Sequence, residues 1–383
     1  MLVTLLLSIA ALLLTAKLLG ELTERLKLSS LLGEILAGIL LGAVLHVVTP
    51  GGALEEIAML GVILLMFILG SSVKMEEIKP NIYSASTLAI AGGLLSFVAG
   101  FVLGMVVFQD MLVSIFLGIA ILSTSTPSTF RILAESGEFN TRHGKMIVTM
   151  DLADTVLAIL AFAALLAVMR FNTIVVNDLT KLFFIIIGFM ILVLTIGTKV
   201  SRRAERPLNR LHDPDMFFAM ALVFVFVIAA ISEQIGLAAI TGAFLAGMTL
   251  ASNRMTETLI VPKMKIVGFG FLIPLFFAYS ALVFDYGAML LYLPIILLLV
   301  VAGVAAKVFG CGYLGKHFGF RTREWLFMGV GMVPRGVVNI VIAQVALSEG
   351  VIDVAVYSIV ISFTILTILL TPVLFKLIRW KYY

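Results

Sequence analysis

Five ionisable residues fall inside long apolar stretches of this chain: Glu34, Asp151, Asp154, Lys307 and Arg335. Asp151 and Asp154 interrupt the run Met146–Met169, which is otherwise almost entirely apolar. A charged side chain at the centre of a bilayer costs about 3 kcal/mol or more, so it is rare unless it is paired or functional. Three residues apart on a helix, the two acids share one face. Acids that close repel one another when both are ionised, which makes one of them a candidate proton carrier. Lys307 lies in the run Val300–Gly310 without a partner nearby in sequence. Pairing it with an acid would neutralise both charges, although so long a side chain also reaches an interface by snorkelling. Glu34, near a segment end beside Gly33, reads first as a capping or snorkelling side chain.

Neutral oxygens lie near the acids in sequence. Ser123–Thr129 is a hydroxyl-rich run with Pro127 in its middle. Proline removes a backbone donor and frees carbonyls, and in lipid such groups must be satisfied within protein or a water-filled cavity. Unwound carbonyls of interrupted helices often coordinate Na+ in transporters. A carboxylate that holds either a cation or a proton, never both, enforces exchange. The candidate ion- and proton-binding set is therefore Asp154, Asp151, Thr155, Thr126 and Ser123, with the monovalent cation at Asp151/Asp154. Plainer readings stand beside it: Asp154 in a structural salt bridge, Asp151 as a water-facing polar residue, and Thr126 and Thr155 satisfying freed carbonyls. No catalytic residue, enzyme activity or cofactor is expected beyond the transported Na+ (or K+) and H+.

The elements that must position these residues are transmembrane helices. The chain has 383 residues, 62% of them hydrophobic and 13% charged. With a mean hydropathy of +1.19, this excludes an ordinary soluble domain. A span needs about 20 apolar residues. Thirteen segments qualify: 2–19, 30–48, 57–73, 84–108, 111–130, 146–169, 180–199, 215–232, 235–252, 264–284, 287–313, 324–347 and 353–377. The first lacks the basic start and small-residue cleavage site of a signal peptide. Of the 26 Lys and Arg, only Arg170 and Lys181 fall in loops of one side, and Lys307 and Arg335 fall in spans. All the others, including Arg202, Arg203, Arg206 and Arg210, fall on the opposite side. The positive-inside rule then places the N-terminus outside and the C-terminus in the cytoplasm. The net charge of +4 follows from that topology and calls for no nucleic acid. The single Cys311 excludes a disulfide, and His46, His143, His212 and His317 sit near segment ends as solvated loop residues.

Taking 180–199 as a connecting helix leaves six segments on either side, entering from opposite faces. Inverted repeats with interrupted helices are the plan of many secondary transporters. The interruptions match: Pro127 in the fifth segment, and Gly329, Gly331 and Met332-Val333-Pro334-Arg335-Gly336 in the twelfth.

Several runs carry a family resemblance: Leu31–Gly42, Ile63–Gly70, Gly242–Gly247, Ala306–Gly312 and Gly329–Gly336. Over essentially its full length the chain resembles the bacterial and archaeal monovalent cation:proton antiporters of the NapA-like and Kef-like type. The resemblance implies an all-α polytopic fold of thirteen helices, in two inverted six-helix repeats with broken crossing helices. It also implies a homodimer and an elevator-like motion. Residues 1–80 and 215–284 would form the dimerisation scaffold, and 84–169 and 287–377 the ion-translocating core. Lys307 matches the lysine that pairs with the first residue of the family's core dipeptide, here Asp154. Pro127, Pro334 and Arg335 would support the broken helices.

Two departures fall at the centre. The family's essential Asp aligns with Thr155, and the Glu after Pro-Arg-Gly is Val337. Either Asp154 is the carrier after a one-residue slip, or Asp151 takes over, or the exchange chemistry is altered or lost. The expected activity is antiport of Na+, with K+ second, across the cell (inner/plasma) membrane. A sodium-coupled organic-anion symporter, with Arg335, Asn339 and Gln344 as its polar groups, is one alternative. An exchange-deficient channel or relic is the other. Membrane lipid and a second copy are the expected partners, with no nucleotide-binding domain.

Overall fold

The computed structural model describes residues 2–26, 28–73, 81–138, 141–171, 188–195, 197–199, 214–251 and 256–382. Those residues are helical throughout, joined by short turns. In chain order the helices are α1 (Leu2–Arg25), α2 (Ser30–Ile39, extended by a wider π-type turn over Leu40–Val44), α3 (Ala53–Ser71) and α4 (Ile82–Phe108). Then come α5 (Met111–Ala120), α6 (Thr126–Ser136), α7 (Arg142–Phe171), α8 (Pro214–Gln234) and α9 (Ala239–Leu250). A near-continuous helix α10 covers Thr256–Val283. It is followed by α11 (Tyr286–Leu291), α12 (Leu293–Lys307, continued by looser turns to Phe318), α13 (Thr322–Gly331), α14 (Val337–Ser348) and α15 (Val354–Tyr382).

Eight helices among the described residues are long and apolar enough to cross a bilayer. Shorter apolar helices occupy Ser30–Val44, Met111–Ala120, Ala239–Leu250 and Val337–Ser348, and residues 188–195 and 197–199 are also helical. The rest of the connecting segment 180–199 lies outside the described residues. So do Lys181, Arg202, Arg203, Arg206, Arg210 and His212.

Local chemistry sets several helix starts. The Asp110 carboxylate accepts from Leu112 N at 2.8 Å and Val113 N at 2.9 Å, opening α5. Glu324 reaches back to accept from Arg321 N at 2.7 Å, opening α13. Each bond satisfies a donor that the first helical turn leaves free.

The chain divides into two compact units. One contains the described residues of 1–9, 51–79 and 160–276. Its central contact is α3 against α9, where glycines let backbones touch. A methyl group on Gly70 would strike the Phe244 carbonyl, and one on Gly247 would strike the Phe67 carbonyl. Small residues at such crossings are how membrane helices approach closely.

The second unit contains the described residues of 10–50, 80–159 and 277–383. In it α2 presents Gly33 to Leu19 of α1, and α4 presents Gly92 to Gly310 just beyond α12. Glu138, after α6, accepts from Arg323 Nη2 of α13 at 2.9 Å and stands 3.1 Å from His143 Nε2 at the start of α7. His143 is therefore buried, edge-on to Phe327, and not the solvated loop residue its position near a segment end suggests. A histidine in the first turn of a helix is drawn inward when a carboxylate and a ring await it. Apolar packing around Met146, Ile147, Met150, Phe327, Met328 and Met332 joins these same helices.

Candidate functional site

The two expected interruptions are real breaks. The fifth segment stops at Ala120 and resumes as α6 at Thr126, and the twelfth stops at Gly331 and resumes as α14 at Val337. The freed backbone groups of one break are satisfied by the other. Ser125 N donates to the Pro334 carbonyl at 2.7 Å, and Thr129 Oγ1 donates to the Gly331 carbonyl at 3.0 Å. Asn339 clasps both. Its Oδ1 accepts from Ser123 Oγ at 2.8 Å and from Gly336 N at 3.4 Å, while its Nδ2 donates to the Ala120 carbonyl that ends α5. Pro127 occupies the second position of α6, where a missing N–H costs nothing. Gly336 is required by closeness, because a side chain there would run into Ser125. Two helix N-termini and two C-termini thus meet in one place, bringing partial charges of both signs into the interior.

Helix α7 carries both acids to this crossing, and Asp151, Asp154, Lys307 and Arg335 are all fully buried. Asp154 is satisfied. Lys307 Nζ stands 2.7 Å from its Oδ1 and 2.8 Å from its Oδ2, and the Thr124 hydroxyl stands 2.8 Å from Oδ2. Asp151 is the opposite case, because neither of its carboxyl oxygens has a hydrogen-bond partner. The Thr126 hydroxyl, Asp154 and Lys307 are close enough to act on its charge. Thr155, one turn along α7 from Asp151, is buried with its hydroxyl also unpartnered.

Arg335 braces its own break. Its Nη1 donates to the Met332 carbonyl at 2.8 Å, its backbone N donates to Thr367 Oγ1 at 3.2 Å, and its guanidinium lies 6.0 Å from the Phe363 ring centre. Its Nε and Nη2 have no partner, and Val337 offers none. Glu34 is buried too, but its charged neighbours are Lys17 and Glu24. Gln344 Oε1 is buried without a partner. Among the described residues no group of three His, Cys, Asp or Glu gathers as metal ligands.

The structure therefore brings Asp154, Lys307 and Arg335 to one crossing and leaves Asp151 and Thr155 with open oxygens beside it. Ser123 spends its proton on Asn339. Two participants were not singled out from sequence. Thr124 lay unmarked in the hydroxyl run, and Asn339 looked like a polar lining residue of a solute cavity. Its place three residues after Gly336, at the first turn after a break, was the available signal.

Such a crossing can hold a small cation on one free carboxylate while a neighbouring acid stays neutralised. The known proteins to which this chain is similar in sequence include antiporters. GerN of Bacillus cereus, a Na(+)/H(+)-K(+) antiporter, is 29% identical over 96% of this chain and 94% of its own. A Na(+)/H(+) antiporter of Enterococcus hirae is 26% identical over 98% of both chains. The solved sodium proton antiporter MjNhaP1 of Methanocaldococcus jannaschii superposes with a TM-score of 0.79, at 16% identity, over 99% of each chain. That last likeness carries the fold: a helical, polytopic membrane protein. The profile of the family described as "Sodium/hydrogen exchanger, transmembrane" matches residues 9–378, both breaks and both buried ion-pair partners included, and this chain belongs to that family.

Proposed function

We propose that the protein is a secondary antiporter exchanging a monovalent cation for H+, with Na+ the first candidate and K+ the second. The observation that carries this reading is the contrast between two acids three residues apart. Asp154 is neutralised by Lys307, whereas Asp151 is buried with both oxygens open. A bare carboxylate in that position bears the whole cost of leaving water. It is at rest only with a proton on it or a cation against it. Asp151 is accordingly the carrier, with Thr155 and Thr126 as neutral oxygens for the desolvated ion. The Asp154–Lys307 pair is a standing countercharge. Charge is the same whether Asp151 holds H+ or Na+, so the exchange is one for one and electroneutral.

The relatives' names, Na(+)/H(+)-K(+) antiporter and Na(+)/H(+) antiporter, support this choice of ions. The remaining expectations join the proposal. They are thirteen spans in two inverted halves, N-terminus outside, in the cell membrane, and a homodimer. Segments 84–169 and 287–377 would move elevator-fashion against 1–80 and 215–284. The full-length match to the family supports a polytopic membrane plan, and the one-sided distribution of Lys and Arg supports the orientation.

The test is proton flux in sealed proteoliposomes loaded with a pH dye. Addition of Na+, K+ or Li+ to the wild type should dissipate the pH gradient, with Na+ effective at the lowest concentration. Uptake of an organic anion that requires Na+ would instead establish symport, and cation leak without proton movement a channel.

A further inference from the structure

We infer that Thr124 is a positioning residue of the exchange cycle, a hydroxyl switch joining the buried ion pair to the broken helices. This inference rests on the antiport reading. Thr124 lies in the stretch between α5 and α6, yet its contacts are with other parts of the chain. Its Oγ1 is 2.8 Å from Asp154 Oδ2 and 3.1 Å from the Met332 carbonyl at the end of α13. A hydroxyl carries one proton, so it donates to only one of these acceptors at a time.

Each acceptor is also held by a buried cation, Asp154 by Lys307 Nζ and the Met332 carbonyl by Arg335 Nη1 at 2.8 Å. Lys307, Asp154, Thr124, Met332 and Arg335 therefore form one continuous polar chain, from α12 through α7 to both breaks. Thr124 is its only link with a choice of partner. The other links have fixed donors: an ammonium and a guanidinium give protons to these atoms and receive none. Rotating one hydroxyl transfers a hydrogen bond from the ion pair to the backbone of the second break. Neither acceptor is then orphaned and no charge moves, because each keeps its cation. Two arrangements of the crossing can therefore exchange while the pair stays intact, which alternating access requires of a countercharge that does not itself carry the ion.

The hydroxyl is not on the carrier. Its hydrogen bonds go to Asp154 and the Met332 carbonyl, and neither Asp151 oxygen has one. Removing Thr124's proton should therefore slow turnover without weakening the cation's grip. A hydrogen bond to a charged group, lost in the interior, corresponds to about ten-fold or more in rate.

The experiment compares wild type, Thr124→Val and Thr124→Ser in proteoliposomes, reading initial exchange rate against Na+ concentration. Melting of the detergent-purified proteins reports their folding. The inference predicts that Thr124→Val, which keeps the shape, lowers kcat about ten-fold at unchanged KM, and that Thr124→Ser restores the wild-type rate. A wild-type rate in Thr124→Val would overturn it. So would a raised KM, which would make Thr124 an ion ligand. If the wild type itself moves no protons in response to any cation, the antiport reading fails instead.

Discussion

Lys307→Met removes one partner of an ion pair with no access to water, and its cost can be worked from the geometry. Nζ lies 2.7 and 2.8 Å from the two Asp154 oxygens. At an effective dielectric of about 20, opposite unit charges at that separation attract by about 6 kcal/mol. Against this stands the desolvation of the carboxylate, several kcal/mol that the pair already bears. With the lysine gone, only the Thr124 hydroxyl remains on Asp154, and a single hydroxyl does not replace an ammonium. Breaking a buried pair from one side typically costs about 3–5 kcal/mol, and Lys307→Met should fall in that range. The double substitution Asp154→Leu with Lys307→Met removes both charges, and Thr124 keeps the Met332 carbonyl as its acceptor. It should return to within about 1 kcal/mol of wild type, since apolar replacement of a whole buried pair is often neutral. Unfolding of the detergent-solubilised protein by SDS titration reads both values. Equal losses in the single and double variants would refute the reasoning, because they would show packing, not the stranded charge, to be the cost.

Three further outcomes follow from the same geometry. Gly70→Ala forces a methyl group onto the Phe244 carbonyl and should destabilise by about 1–3 kcal/mol in the same titration. Asn339→Ala strands the Ala120 carbonyl and frees the Ser123 hydroxyl. A loss of about 1–3 kcal/mol is expected, with exchange impaired as the breaks lose their clasp, read by melting and flux together. Thr155→Val deletes a hydroxyl that has no protein partner, so stability should stay the same or rise. The KM for Na+ should rise at least a few-fold if that oxygen serves the ion, as initial-rate kinetics would show.

Much of the crossing was legible in the sequence because breaks in membrane helices carry a compositional mark. Pro127 within hydroxyls and Pro334 within glycines announced both interruptions, and the two acids announced the helix that faces them. The resemblance supplied Lys307 as the partner of Asp154. What sequence did not disclose depends on which groups are left over after packing. Asp151 and Asp154 look equivalent on one helical face, and only the placement of Lys307 and Thr124 makes one satisfied and the other open. Asn339 was read for its polarity and not for its position one turn past Gly336. His143 was misjudged because its burial comes from Glu138 and Phe327, on a turn and a helix its own neighbourhood does not reveal. Within the runs behind the resemblance, Gly70, Gly247, Gly33 and Gly310 serve packing: they mark where backbones touch.

The most direct test of the account sets Asp151→Asn beside Asp154→Asn in the proteoliposome flux assay, with folding checked by melting. The account predicts that Asp151→Asn folds as well as wild type and shows no cation-driven proton flux. Asp154→Asn should melt earlier, having lost its charge opposite Lys307, and keep measurable exchange in the fraction that folds. Full exchange in Asp151→Asn, with loss confined to a well-folded Asp154→Asn, would contradict it and make the lysine-paired acid the carrier.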